Sequence, residues 1–363
     1  MRVLIAPDKF AGTLGAVEVA EAIAEGWSRQ APGDRITTAP MSDGGPGFLD
    51  VLQEATAGEL DALTVTGPLG EPVPATLLLA GDTAYVESAQ ACGLHLVPEQ
   101  RRRPERATSY GVGELIAAAV DAGIRRIVVG LGGSGSNDAG AGMLAALGAR
   151  PAERLRGGGA TLAALEEVDL SRPRSRLAGI ELLAASDVDN PLLGLRGATN
   201  VFGPQKGVSA ERLPVLDAAL ERFATLADRR IADEKGAGAA GGIGYGLLLL
   251  GGTRVPGIDT IATAIGLPDR VRDADLVISG EGSFDIQSAA GKVVSGVARI
   301  AEQAVTPCVV IAGQVHLGAR EMRVLGVQSA YGLVDLVGRD AALERARESL
   351  AEVAARVART WSR

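Results

Sequence analysis

The sequence predicts an α/β protein, and three observations carry that reading. Short β-branched runs alternate with amphipathic helical stretches near both chain ends, the order of parallel βαβ units. Between them come consecutive strands at 62–65, 75–79 and 84–88, joined by Gly/Pro turns with no helix between. At the centre stands 125–149, RRIVVGLGGSGSNDAGAGMLAALGA, a buried strand that runs through glycines into an Ala/Leu/Met-rich helix.

Taken in order, a strand at 2–6 ends in Pro7-Asp8-Lys9, and 16–27 is a helix with Val17, Ala20 and Ala24 on its apolar stripe. A strand at 35–39 runs into Pro40-Met41-Ser42-Asp43-Gly44-Gly45-Pro46-Gly47 before a helix at 48–57. The change to a meander near residue 62 marks a domain boundary. Helix 108–122, with Thr108 or Ser109 as its cap, precedes the central stretch. A strand at 180–185 ends in Ser186-Asp187-Val188-Asp189-Asn190-Pro191, and 199–206 leads to a helix at 210–227. The run 247–250 suits either helix or strand. A strand at 275–279 enters Gly280-Glu281-Gly282-Ser283-Phe284-Asp285, and then come helix 291–303, strands 308–312 and 327–331 and helix 341–362. Because βαβ order returns here, one domain is expected from both chain ends, 1–62 with 268–363, and a second, 63–267, is inserted.

Composition narrows the function. With 363 residues, 47% of them hydrophobic, the chain can bury a large core without staples. Cys92 and Cys308 are far apart and lack metal-ligand spacing, which suits buried thiols in a reducing compartment. The first apolar run is too short for a signal peptide and no 18-residue apolar span occurs, so a cytoplasmic protein without a membrane partner is expected. A net charge of −8 and an aromatic content of 3% argue against nucleic acid as a partner. Two histidines are too few to argue a hydrolytic triad.

The chemistry-bearing residues cluster at strand ends. A glycine-rich turn between strand and helix can cradle an anion, so Gly132, Gly133, Ser134, Gly135, Ser136 and Asn137 are candidate phosphate contacts. Gly130, Gly132 and Gly135 also fit the dinucleotide fingerprint, but 150–159 is not the strand with an acidic end that the fingerprint needs. No Walker-type P-loop is present. Only four lysines, Lys9, Lys206, Lys235 and Lys292, stand against 32 arginines, and each sits in a glycine-bearing segment where a compact ammonium can meet phosphate oxygens. Asp8, Asp43, Asp138, Asp187, Asp189 and Glu281 all fall just past a predicted strand's C-terminal end, where open α/β sheets bind ligands. Asp187 and Asp189, two apart, suit two oxygen ligands on Mg²⁺ or one ligand and a general base, although Asp189-Asn190-Pro191 is also turn chemistry. Asp285 could serve as an N-cap for the segment after it. Acids for a cation, lysines for phosphate and a glycine-rich loop together suit phosphoryl transfer.

The chain resembles the bacterial class I glycerate kinases, of the glycerate 2-kinase type. The shared motifs run in order: Ala6-Pro7-Asp8-Lys9-Phe10, Ser42-Asp43-Gly44-Gly45, Glu87-Ser88-Ala89, the run 108–115, the glycine-rich 132–142, the run 187–194, Phe202-Gly203-Pro204-Gln205-Lys206-Gly207, and Gly280-Glu281-Gly282 with Asp285 and Gln287. The resemblance implies a flavodoxin-like parallel-sheet domain from both chain ends with an inserted mixed α/β domain. It implies ATP- and Mg²⁺-dependent phosphorylation of D-glycerate to 2-phosphoglycerate by a monomer or homodimer. Asp189, Lys9 and Asp187 are then the expected catalytic residues, with Asp189 as base. The loop 132–137 and Lys206 would hold ATP, and Asp187, Asp189 and Glu281 would hold the metal. Asp8, Asp43, Asp138, Glu281 and Asp285 would face the substrate. Ala11, Pro46 and Ser283 depart from the family's Lys, Glu and Arg, so 3-phosphoglycerate as product or a related sugar acid as substrate is the alternative. An NAD(P)-dependent oxidoreductase and a non-catalytic sugar-acid sensor are the readings from other classes.

Overall fold

The computed structural model describes residues 1–285 and 292–362; Gln287 lies outside them. The strands among these residues are β1 (Arg2–Ile5), β2 (Arg35–Thr38), β3 (Glu59–Thr66), β4 (Pro72–Ala80), β5 (Thr83–Glu87), β6 (Arg126–Gly130), β7 (Glu181–Ala185), β8 (Thr253–Val255), β9 (Leu276–Phe284), β10 (Cys308–Val315) and β11 (Val327–Gly332). They form two sheets, and the chain divides into two compact units.

The first unit holds Met1–Asp43, Asp50–Thr56 and the described residues from Ile258 onward. Its sheet has the order β11-β10-β9-β1-β2, every pair parallel. Counted along the unit's own chain this is 2-1-3-4-5, the flavodoxin-like order, whose connections reverse between β1 and β9. Val3, Ile5, Ile278, Val309 and Ile311 build one side of the core with Ile23, Trp27 and Val353 from flanking helices. The helix Ala16–Gln30 buries Ala16, Val19, Ala20, Ile23 and Trp27, whereas Val17 and Ala24 are half-exposed. The stripe is therefore displaced from the one expected, because Trp27, the largest side chain, takes the inner face. This helix packs on Ala346–Trp361 so closely that a Cβ at Gly26 would lie 2.0 Å from Ala351 O.

The second unit, Gly44–Leu49 and Ala57–Gly257, has a mixed sheet ordered β3-β4-β5-β6-β7-β8. The β3-β4 and β4-β5 pairs are antiparallel and the rest parallel. Antiparallel pairs close through short turns, which is why this stretch reads as a meander. β3 pairs with β4 from Glu59 to Thr66, so a boundary at 62 would cut a strand that belongs wholly to this unit.

Three local readings change. Residues 199–206, expected only to lead into the helix at 210–227, lie in a helix of their own, Ala198–Lys206, with Pro204 inside and Gly207 at φ 102 as its left-handed stop. Apolar 247–250 closes the helix Ala239–Leu249. Glu281 lies within a strand rather than past its end, because β9 continues to Phe284, paired with β10 to Val315. Gly280 permits that pairing, since a Cβ there would meet Ile311 O at 2.4 Å.

Candidate active site

In the first unit the acids and Lys9 gather where the strand order reverses. Asp8 comes after β1, and its N–H donates to Gly280 O of β9 at 2.8 Å. Ser279 Oγ donates to Ala6 O at 2.9 Å, fastening the same strand ends. The Asp8 carboxylate accepts the Lys9 N–H at 2.7 Å, and Lys9 Nζ stands 3.8 Å from it and 3.6 Å from Asp43 Oδ1. One ammonium thus serves two carboxylates, one of them buried. Burial pushes the Asp8 carboxyl up to about 6 against the pull of Lys9, and Asp43 adds to the rise. A carboxyl poised there can accept a proton near neutral pH. Gly282 brings its backbone beside Phe10 and Ala11, and Asp285 accepts from Ser283 Oγ at 3.1 Å.

In the second unit the glycine-rich loop differs from the expected cradle. The helix after it is short, Ala141–Ala146, and is reached through Ala139 and Gly140, both with positive φ. Asn137 and Asp138 therefore do not occupy its N-cap position, although the Asp138 carboxylate accepts from Gly142 N in its first turn, and six residues carry little dipole to an anion. The glycines make room for the segment 44–46. A Cβ at Gly130 would lie 2.7 Å from Gly44 O, one at Gly132 2.6 Å from Gly45 Cα, and one at Gly133 2.7 Å from Pro46 Cγ. Gly135 N–H donates to Cys92 O and Leu94 N–H to Gly133 O, so the loop pairs with 92–94 like a piece of strand. Only Gly132 and Gly133 between 131 and 142 reach solvent.

Asp138 is fully buried and accepts from Ser109 N and Oγ, Gly140 N and Gly142 N. Desolvation raises its pKa, opposed by those donors. It holds the loop and the start of 110–121 together, and no face of it is left for a substrate. Asn137 Nδ2 donates to Thr199 Oγ1 at 2.9 Å. Lys206, 4% exposed, donates to Ser134 Oγ at 2.8 Å and Ser136 O at 2.7 Å.

Past β7, Asp187 accepts from Gly257 N at 3.2 Å. Asp189 is exposed, with Lys235 at 2.9 Å and Arg254 at 2.7 Å. The Lys235 hydrogen bond, helped by Arg254, lowers its pKa, which makes it a weaker proton acceptor than the sequence suggests. Among the described residues no three His, Cys, Asp or Glu side chains cluster as a metal site. Asp187 and Asp189 lie in the second unit and Glu281 in the first.

One residue escaped the sequence reading of the site. Glu87, 5% exposed, accepts from Gly47 N and Leu49 N at 3.1 and 3.3 Å and so anchors the Asp43-Gly44-Gly45 turn's exit. A glutamate closing an apolar strand, Thr83-Ala84-Tyr85-Val86-Glu87, is the available signal, because a buried charge needs a structural partner.

The model of the glycerate kinase family matches residues 3–362. The chain belongs to the glycerate kinase family. A Bacillus subtilis glycerate kinase is 44% identical, with 99% of this chain and 96% of that protein covered. Escherichia coli K12 glycerate 2-kinase is 38% identical over 99% of this chain and 98% of its own length. A crystal structure from Salmonella typhimurium LT2, described as a candidate glycerate kinase 2, superposes with a TM-score of 0.82 at 41% identity, covering 99% and 98% of the two chains. The family's phosphotransferase class displaces the oxidoreductase reading of the glycine pattern, whose glycines pack against backbone. No described helix is long and apolar enough to cross a membrane.

Proposed function

We propose that this protein transfers the γ-phosphoryl group of ATP to the 2-hydroxyl of D-glycerate, giving 2-phosphoglycerate. Membership of the glycerate kinase family over the whole chain carries the reading. ATP follows from the kinase class. A reducing, cytoplasmic setting suits its two buried free cysteines.

The roles we assign rest on the local geometry. Asp8 accepts the hydroxyl proton: it is buried, close to its ammonium partner, and titrates nearer neutrality than Asp189, whose two cations hold it ionised. Lys9, whose ammonium stands 3.6 Å from Asp43 and 3.8 Å from Asp8, moves to the substrate carboxylate. Glu281 and Asp285 orient the remaining hydroxyl. Gly132 and Gly133 meet the nucleotide's phosphates with backbone N–H groups.

The donor set suits Mg²⁺, which takes one or two carboxylates and completes its shell with water and phosphate oxygens. Asp187 and Asp189 would hold it, Asp189 releasing its two ion pairs to do so. When bound, Mg²⁺ neutralises charge on the transferring phosphates.

A coupled assay for ADP release with ATP, Mg²⁺ and D-glycerate, with enolase digestion of the product as its second step, tests this. Enolase-competent product is expected. ADP release with an enolase-inert product would move the transfer to the 3-position or to another hydroxy acid. No turnover of glycerate, with turnover of a larger sugar acid, would overturn the substrate.

A further inference from the structure

Of the four lysines, Lys206 alone is buried. It ends the helix Ala198–Lys206, and Gly207 in the left-handed region turns the chain away behind it. Its ammonium is spent inside the protein, on Ser134 Oγ and Ser136 O, the two ends of one tight turn in the glycine-rich loop. A second segment closes over the same turn. Ala240, Gly241 and Gly242 are left-handed in succession, at φ 51, 71 and 92, and Gly241 O accepts the Ala139 N–H at 3.0 Å. A Cβ on Gly241 would lie 2.1 Å from Ser136 O and 3.0 Å from Lys206 Nζ. Three consecutive left-handed residues, one of them an alanine, persist only where the surroundings dictate them. Here the surroundings are the clamp and the turn it holds.

We infer that Lys206 is a positioning residue: it clamps the turn from Ser134 to Ser136 so that Gly132 and Gly133 keep one backbone geometry, and it does not itself ligate phosphate. The inference rests on the reading that these two glycines meet the nucleotide. The ammonium of a residue 4% exposed, with two short donated bonds, has to break both before it can reach a ligand. Burial pulls its pKa down to about 8, opposed by the nearby Asp138 carboxylate. A neutral amine would still donate both bonds, so clamping survives where a phosphate ligand would lose its charge.

Hydrogen exchange on the intact protein separates the two roles, because it reads the loop before any nucleotide is added. In Lys206→Met, which loses both bonds, amides in 134–138 should exchange at least about tenfold faster, the scale of a single charge-assisted bond. The KM for ATP should rise with kcat reduced. Ser134→Ala keeps the ammonium but removes one acceptor, and should move both readouts in the same direction by less. The double variant should be no worse than Lys206→Met, since the two act through one bond. Unchanged exchange in Lys206→Met together with lost ATP binding would overturn the clamp in favour of a direct ligand. An unaffected Ser134→Ala would overturn it too, and that variant carries the test if Lys206→Met fails to fold. ATP added to wild-type protein without protecting 132–138 would instead sink the reading of the loop, while the exchange of the nucleotide-free variants still decides the clamp.

Discussion

Two loops at the ends of parallel strands in this protein treat charge in opposite ways. After β6, Asp138 and Lys206 are buried, and their polar contacts are made by the protein itself: four donors on the carboxylate, two acceptors for the ammonium. After β1, Asp8 is almost as buried but has one backbone donor at 2.7 Å and a lysine at 3.8 Å that it shares with Asp43. Four donors on one carboxylate fix a shape, whereas a carboxylate with fewer donors and a shared ammonium can change partners. Asp138 and Lys206 read as scaffold, although Asn137 Oδ1 beside Asp138 is buried without a hydrogen-bond partner among the described residues, and the second loop reads as the place where protons and carboxylates are handled.

The largest effect that could break this contrast is on turnover. Asp8→Asn should lower kcat by about 10²–10⁴, the usual worth of a general base. If Asp189→Asn does that and Asp8→Asn does not, the base belongs after β7. Stability supplies the next test. Gly241→Ala drives a methyl into Ser136 O at a left-handed position, and should cost about 3 kcal/mol or more, read by denaturant melts.

Asp8→Asn should have the opposite sign. A carboxyl raised to about 6 is protonated more readily in the folded than in the unfolded chain, so stability falls as pH climbs from about 4 to 6 and the full penalty persists above. The variant lacks that penalty. It should be more stable than wild type at pH 7 by roughly 1–3 kcal/mol, the gain vanishing near pH 4. A loss of stability at pH 7 would show that Asp8 is satisfied after all. Asp189→Asn, which gives up ion pairs of an exposed carboxylate, should change stability by under about 1 kcal/mol. The smallest effect is chemical: burial pushes the thiols of Cys92 and Cys308 to about 12, so neither should be alkylated in the native state at neutral pH.

The alternation of strands and helices was open to sequence reading because it depends on local patterning, and β1, β6 and β7 fall within a residue or two of expectation. The position of Asp8 at a strand end was equally local. What Asp138 and Lys206 do was not. Asp138 reads as a strand-end acid until Ser109, 29 residues earlier, is seen to donate to it, and Lys206 reads as an ammonium ready to meet phosphate until its burial is seen. Gly130 and Gly132 mislead for the same reason, since the backbone they admit comes from Gly44 and Gly45. Sequence spacing reports a residue's type and its nearest neighbours, whereas burial and partner choice are set by distant segments.

The order of strands in the first sheet also dictates an order in time. β1 pairs on one side with β9, and the bond from Ser279 to Ala6 spans 273 positions. The whole of the second unit lies between them in the sequence. On the ribosome, the meander and its parallel strands can complete their pairing while the N-terminal strand has only β2 beside it. The core around Trp27 must wait for Val353 and its helix. A nascent chain halted near residue 257 should therefore carry one protease-resistant body and one open, sticky edge. The segment with the poised carboxylate is made first and folds last.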